Sequence, residues 1–109
     1  MKISILTKNI SLDAPLKVFV ETKIGSLARF FKGKDDAEAR VEIGKPSKHH
    51  RSGPVFYAEV NLKTGGVLLR GQAEHVDLRS AIVKVEREIQ EQIKKFRSKK
   101  KASERKSRK

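Results

Sequence analysis

The sequence contains no cysteine and only three histidines. No disulfide framework and no cysteine-ligated metal can form, which fits a reducing compartment. It also lacks a glycine-rich phosphate loop and a cysteine nucleophile. Ser52-Gly53 near His50 is no catalytic triad, because loop proximity supplies neither geometry nor an orienting acid. An enzyme is therefore not expected. Long apolar runs are missing too. None approaches the ~18 residues needed to cross a bilayer, and Met1-Lys2-Ile3-Ser4-Ile5-Leu6-Thr7-Lys8 has no apolar core of signal-peptide length. A soluble, cytoplasmic protein is the expectation, with no membrane, cofactor, metal or small-molecule substrate.

Acidic residues are scarce as well: 13, against 26 Lys and Arg, for a net charge of +13. The imbalance is concentrated at one end. Residues 94 to 109 hold ten of the cations, with Glu104 the only acid, and carry +9. The first 93 residues hold sixteen cations and twelve acids. Such an asymmetry points to a polyanionic partner, with nucleic acid the first candidate.

At 109 residues the chain has room for one small domain. A short strand around Ile3 and Ile5 opens it. Asp13 is a natural N-cap and Pro15 is tolerated in a first turn. Leu16, Val20, Ile24, Leu27 and Phe31 then recur at helical spacing on one face, with Gly25 a mild weakness and Gly33 with Lys34-Asp35-Asp36 as the stop. Ala39, Val41 and Ile43 alternate with polar residues, as do Phe56, Ala58, Val60 and Leu62, giving strands with one wet face. Lys63-Thr64-Gly65-Gly66 is a tight-turn signature. Val67, Leu69, Gly71 and Ala73 supply the inward face of a last strand. A second helix starts from Asp77 as N-cap, with Leu78, Ala81, Ile82, Val85, Ile89, Ile93 and Phe96 as its apolar stripe. The order is β-α-β-β-β-α, an α+β fold in which both helices can cover the apolar face of a four-stranded sheet. The expected division is a folded domain over residues 1–97 and a basic, disordered tail over 98–109.

The ordered whole resembles the ribosome hibernation-promoting factor family, which includes the ribosome-associated inhibitor and carries an older sigma-modulation label. The resembling residues are Asn9-Ile10, Leu16-Lys17, Phe19-Val20, Lys23-Ile24 and Leu27 to Phe31. In the last strand and helix they are Gly66, Ala73, His75, Asp77-Leu78, Ala81-Ile82, Gln92-Ile93 and Lys95. The resemblance implies a sheet with both helices on one face, similar to a double-stranded-RNA-binding domain with an added first strand. It implies binding in the messenger and transfer RNA channel of the small ribosomal subunit, and inhibition of translation in stress or stationary phase. Long members add a C-terminal domain that pairs ribosomes. This chain looks like a short form, monomeric off the ribosome, and its basic tail is opposite in sign to the acidic extension of one short branch.

Lys17, Lys23 and Arg29 on the first helix match positions that are commonly basic in the family, whereas Ser26 stands where a lysine is common. On the second helix the candidates are Arg79, Lys84, Arg87, Lys94, Lys95, Arg97 and Lys99. Glu88 and Glu91 stand where relatives carry cations. They are expected to neutralise their neighbours and to shift RNA contacts toward the C-terminal end. His49, His50 and Arg51, in a basic connection, can stack on unpaired bases or bind phosphate. A plain solvated loop is the alternative there, and zinc would need a third ligand such as His75. The tail can anchor to ribosomal RNA or merely solubilise, and it has no apolar face with which to enter a membrane. The main rival function is a generic RNA-binding or RNA-chaperone module. An RNA-recognition motif would need stacking aromatics on its central strands and a different element order, and Phe56 is more easily explained as core. A protein-interaction domain acting on transcription ranks last.

Overall fold

The expected element order is the one found in the computed structural model. It runs β1 (Lys2–Lys8), α1 (Ala14–Gly25), a 3-10 turn (Ser26–Phe30), β2 (Glu38–Gly44), β3 (Phe56–Thr64), β4 (Val67–His75) and α2 (Leu78–Ser107). The structure describes residues 1–31, 37–46 and 55–107, with side chains described as far as Ser98. The strands stand in the order β1-β2-β3-β4. β1 is parallel to β2, and the other two pairs are antiparallel. A parallel pair cannot be closed by a hairpin, so a crossover is required, and α1 provides it. β3 and β4 are joined by two residues in the left-handed region, Gly65 at φ 52° and Gly66 at φ 79°, between the paired Thr64 and Val67. That is the geometry a tight hairpin demands, and glycine meets it without a Cβ penalty.

One face of the sheet carries the core. Ala39, Val41, Ile43, Ala58, Val60, Leu62 and Ala73 meet Leu16, Val20, Ile24 and Leu27 from the first helical segment and Ala81, Ile82, Val85, Ile89 and Ile93 from α2. α2 lies over β3 and β4, while α1 packs beside it and against β1. Gly71 sets how close α2 can come. A Cβ there would stand 3.1 Å from Val85 Cγ2 and 3.2 Å from Ile89 Cδ1. The helix therefore rests on bare β4 backbone.

Both predicted caps form. Asp13 Oδ1 accepts from the Leu16 amide at 2.8 Å. Asp77 Oδ2 accepts from the Ser80 amide at 3.1 Å and from Ser80 Oγ at 2.7 Å. Each satisfies a first-turn donor that has no partner within the helix.

Three expectations need correction. The stripe from Leu16 to Phe31 is not one α-helix, because the chain tightens to 3-10 after Gly25. Gly25 holds the helix weakly, and Ser26 Oγ donates to the Lys23 carbonyl at 2.7 Å, so side chain competes with backbone there. Leu27 nevertheless stays fully buried. Phe96 does not complete the stripe of α2 but is 43% exposed, since the core under that helix ends at Ile93. Phe56 is half-buried and stands outside the core cluster, with Lys45 Nζ 5.2 Å from its ring centre. The helix α2 is drawn as far as Ser107. Neither glycine nor proline interrupts the helix, and Lys, Arg, Ala and Glu all favour it. The expected helix stop at Gly33 to Asp36 lies outside the described residues.

Candidate nucleic-acid interface

Strand alternation sends every second side chain away from the helices, so the sheet has a second, open face. It carries Lys2, Lys8, Arg40, Lys63 and Arg70, but Glu38, Glu42, Glu59 and Glu74 lie among them in adjoining register positions. Arg40 Nε stands 3.6 Å from Glu38 Oε1, and Lys8 Nζ 4.0 Å from Glu42 Oε2. Glu42 also accepts from the Tyr57 hydroxyl at 2.8 Å. Partial burial, this hydrogen bond and the nearby carboxylates push the Tyr57 phenol up to about 12, because each of them disfavours the phenolate. Two of the five cations on this face are thus answered by a carboxylate, while Lys2, Lys63 and Arg70 make no ion pair among the described residues.

The helix side differs. α1 and α2 leave a groove between them, where the β4–α2 junction meets the middle of α1. Phe19 of α1 lines it together with His75, Asp77, Arg79, Ser80, Val83, Lys84 and Arg87. Phe19 sits at the edge of the apolar stripe, and cations from both helices approach its ring. Lys23 Nζ is 5.8 Å and Arg79 Cζ 5.5 Å from the ring centre, within range of a cation–π attraction. Lys84 and Arg87 follow along α2. Among the described residues, no acid lies within ion-pair distance of Lys23, Arg79, Lys84 or Arg87.

Asp77 is the one carboxylate lining the groove. Its hydrogen bonds from Ser80 hold it below the usual carboxylate range by favouring the ionised form. The same bonds commit it to capping α2, and the charge of nearby His75 and Arg79 adds to the lowering. The Asp77 amide donates to His75 Nδ1 at 3.0 Å. That bond assigns the neutral ring's proton to Nε2 and leaves an N–H donor for a ligand. In the β3–β4 register His75 stands opposite Phe56. The groove thus combines guanidinium, ammonium, imidazole and an aromatic face. Guanidinium groups bind phosphate through two parallel hydrogen bonds, and rings and guanidinium planes stack on unpaired bases.

Of the sequence-expected site residues, the structure brings together Lys23, Arg79, Lys84 and Arg87. Lys17 is exposed elsewhere on α1. Arg29 lies on the 3-10 turn, with its guanidinium 4.9 Å from the centre of the Phe30 ring. Lys94, Lys95 and Arg97 are exposed on the continuation of α2, and Lys99 follows on the same helix. His49, His50 and Arg51 lie outside the described residues. Glu88 and Glu91 stand on the same helix as Lys94, Lys95 and Arg97. Both are exposed, and among the described residues neither makes an ion pair.

Sequence reasoning missed Phe19, His75, Asp77 and Ser80 as parts of the site. A signal for Phe19 was present, an aromatic three residues after Leu16 and four before Lys23, at the border of the apolar stripe. Its partnership with Arg79 exists only once α1 packs on α2. Among the described residues, no three His, Cys, Asp or Glu side chains converge as a metal site would require, and no helix is long and apolar enough to cross a membrane.

Comparison with known proteins agrees with this architecture. Over 91 residues, 84% of its length, the chain is 26% identical to a ribosome hibernation promotion factor of Deinococcus radiodurans. It spans 46% of that relative, about half its length. The crystal structure of the Thermus thermophilus Protein Y N-terminal domain superposes with a TM-score of 0.75 at 25% identity, covering 88% of this chain and 99% of that one. A ribosomal subunit interface protein of Coxiella burnetii, 16% identical, shares the fold with a TM-score of 0.71 over 90% of this chain and 99% of its own. The model of one family matches residues 3–101, spanning the sheet, α1 and most of α2. The chain belongs to the sigma 54 modulation protein / S30EA ribosomal protein family.

Proposed function

We propose that this protein is a ribosome hibernation factor. It binds the small ribosomal subunit in the channel for messenger and transfer RNA, and so inhibits translation during stress or stationary phase. The observation that carries the reading is the groove between α1 and α2. There Lys23, Arg79, Lys84 and Arg87 converge beside Phe19, with no acid paired to them among the described residues. Unanswered cations on a rigid scaffold suit a phosphate backbone, and each contact made releases a counterion. Phe19 and the His75 imidazole add surfaces for unpaired bases, which folded ribosomal RNA offers and regular duplex does not. The family is described as one of ribosomal proteins and the curated relative is a hibernation factor by name, which supports this reading. The protein works without catalysis, as a monomer in the cytoplasm, with ribosomal RNA as its partner.

The test is co-sedimentation with purified small subunits at low and near-physiological salt, with free ribosomal RNA as comparator and messenger plus initiator transfer RNA as competitors. Stoichiometric binding that survives salt and yields to the competitors is expected. Binding that vanishes with salt, or is equal on free RNA, would leave the generic RNA-binding reading in its place.

A further inference from the structure

The groove uses only the first half of α2. The sheet holds this helix as far as Ile93, the last buried residue among those whose side chains are described, and Gln92 Nε2 donates to the Arg70 carbonyl of β4 beside it. Fourteen more helical residues follow, Lys94 to Ser107, or about 21 Å at the α-helical rise. They help to stretch the molecule to 57 Å along its longest axis. This projection lies in the segment that carries +9 of the chain's +13, and Phe96 at its root is already 43% exposed.

A helix so placed is unusual on two grounds. Among the described side chains, none beyond Ile93 contributes to the core. Like charges also recur four residues apart in its sequence, at Lys95 and Lys99 and at Lys101 and Arg105, and that spacing disfavours an isolated helix. A ligand that neutralises the charge would favour the helix instead. The residues from Arg97 onward include no apolar side chain larger than Ala102, so a lipid interior has nothing to receive. Phosphodiester backbone fits both the charge and the elongated form.

We propose that the projecting end of α2 is a second RNA-contacting element, a rigid basic arm lying along the phosphate backbone of structured RNA. It is separate from the groove but joined to it by one unbroken helix. Rigidity is part of the proposal. A stiff connection fixes the position of the second contact relative to the first, and linkage multiplies affinity only where such geometry lets both engage together. The arm extends the ribosome reading without depending on it, because its own ligand is any accessible RNA duplex.

Three proteins test this: the full chain, a chain stopped after Ser98, and full-length Ser98→Pro. The proline keeps every charge but breaks the helix by removing the amide donor and clashing with the preceding turn. Each is titrated with a labelled RNA hairpin across a range of salt concentrations, with thermal melting as the control for the body. The stop after Ser98 removes seven cations and one acid. If four to six of those cations meet phosphate, the slope of log affinity against log salt flattens by ~3–5, and affinity near physiological salt falls ~10²–10³-fold. Ser98→Pro is expected to lose most of the same gain, and the circular dichroism helix signal of the full chain to rise on adding hairpin.

Equal slopes for full and shortened chains would overturn the arm. A Ser98→Pro protein as tight as the full chain would overturn its rigidity, leaving a flexible tail. Tighter binding to phosphatidylglycerol vesicles than to hairpin would overturn the ligand class. If the arm holds hairpin while small subunits are not bound, the ribosome reading fails and the arm stands. Specific small-subunit binding that is the same without the arm would overturn the arm and leave the ribosome reading standing.

Discussion

The open face of the sheet and the groove between the helices carry cations in similar numbers and in different company. On the open face, Arg40 leans toward Glu38, Lys8 toward Glu42, and Glu59 and Glu74 lie among the rest. On the helix side, Arg79, Lys84 and Arg87 line one groove, Lys23 approaches the Phe19 ring at its edge and, among the described residues, no acid pairs with them. Net charge therefore does not mark the interface. A cation already answered by a carboxylate must lose that partner before it meets phosphate, while an unanswered one loses little but water. The groove is the side prepared for a polyanion.

This contrast depends on α2 being held in place, and the largest effects are expected where that hold is broken. Ile89 is fully buried under α2, so Ile89→Ala should cost about 2–5 kcal/mol in denaturant unfolding, from lost burial and the cavity left behind. The open-face change Leu68→Ala, at a site 53% exposed, should stay within about 0.5 kcal/mol. Comparable losses at the two sites would contradict the assignment of the core to one side. Gly71→Val comes next. Its new side chain meets Val85 and Ile89 where even a Cβ is crowded, and overpacking of this kind costs about 1–3 kcal/mol. Subunit affinity should fall with it, because α2 is lifted relative to Phe19.

A smaller effect is expected at the start of α2. Asp77 has its ionised form favoured in the folded protein by Ser80. Its contribution to stability is therefore complete above its ordinary value of 3.8 and is lost as pH falls through the lower folded value. Asp77→Ala should lower the melting temperature modestly at neutral pH and remove that part of the acid dependence. Melting curves recorded from neutral to strongly acidic pH would show it, and an unchanged acid profile would contradict the capping role. The smallest effect belongs to the open face. Tyr57 is the only tyrosine and there is no tryptophan, so phenolate absorbance reports on it alone. The folded protein should titrate at about 12 rather than 10.0. The sign follows from the raised value: Tyr57 favours the fold up to about pH 10, and that support fades as pH rises toward 12. Glu42→Gln should bring the titration back toward 10.0, and no change would mean that the hydrogen bond does not form.

Much of this architecture was legible in the residues. Alternation at Ala39, Val41 and Ile43, the caps at Asp13 and Asp77, and the paired glycines at 65 and 66 are local signals that tertiary structure had no reason to override. The groove was half legible. Lys23, Arg79, Lys84 and Arg87 could each be picked out as exposed cations, yet nothing local says that residues 23 and 79 share one aromatic ring. That pairing comes from α1 lying against α2, a relation across more than fifty positions. Glu88 and Glu91 are a related case. Helical spacing permits pairs with Lys84 and Lys95, but exposed pairs of long side chains gain too little to form dependably. Phe56 looked like core because alternation gives the side of a sheet, not whether a helix covers that end of it.

The most direct test of the central claim sets one charge reversal on each side of the sheet against the other. Arg87→Glu in the groove and Arg40→Glu on the open face change net charge equally and leave the core untouched. Their affinities for purified small subunits would be measured in parallel at near-physiological salt. The account predicts at least a tenfold loss for Arg87→Glu, about 1.4 kcal/mol, and near wild-type binding for Arg40→Glu. Equal losses would show that only total charge matters, and would contradict the groove as the site of recognition.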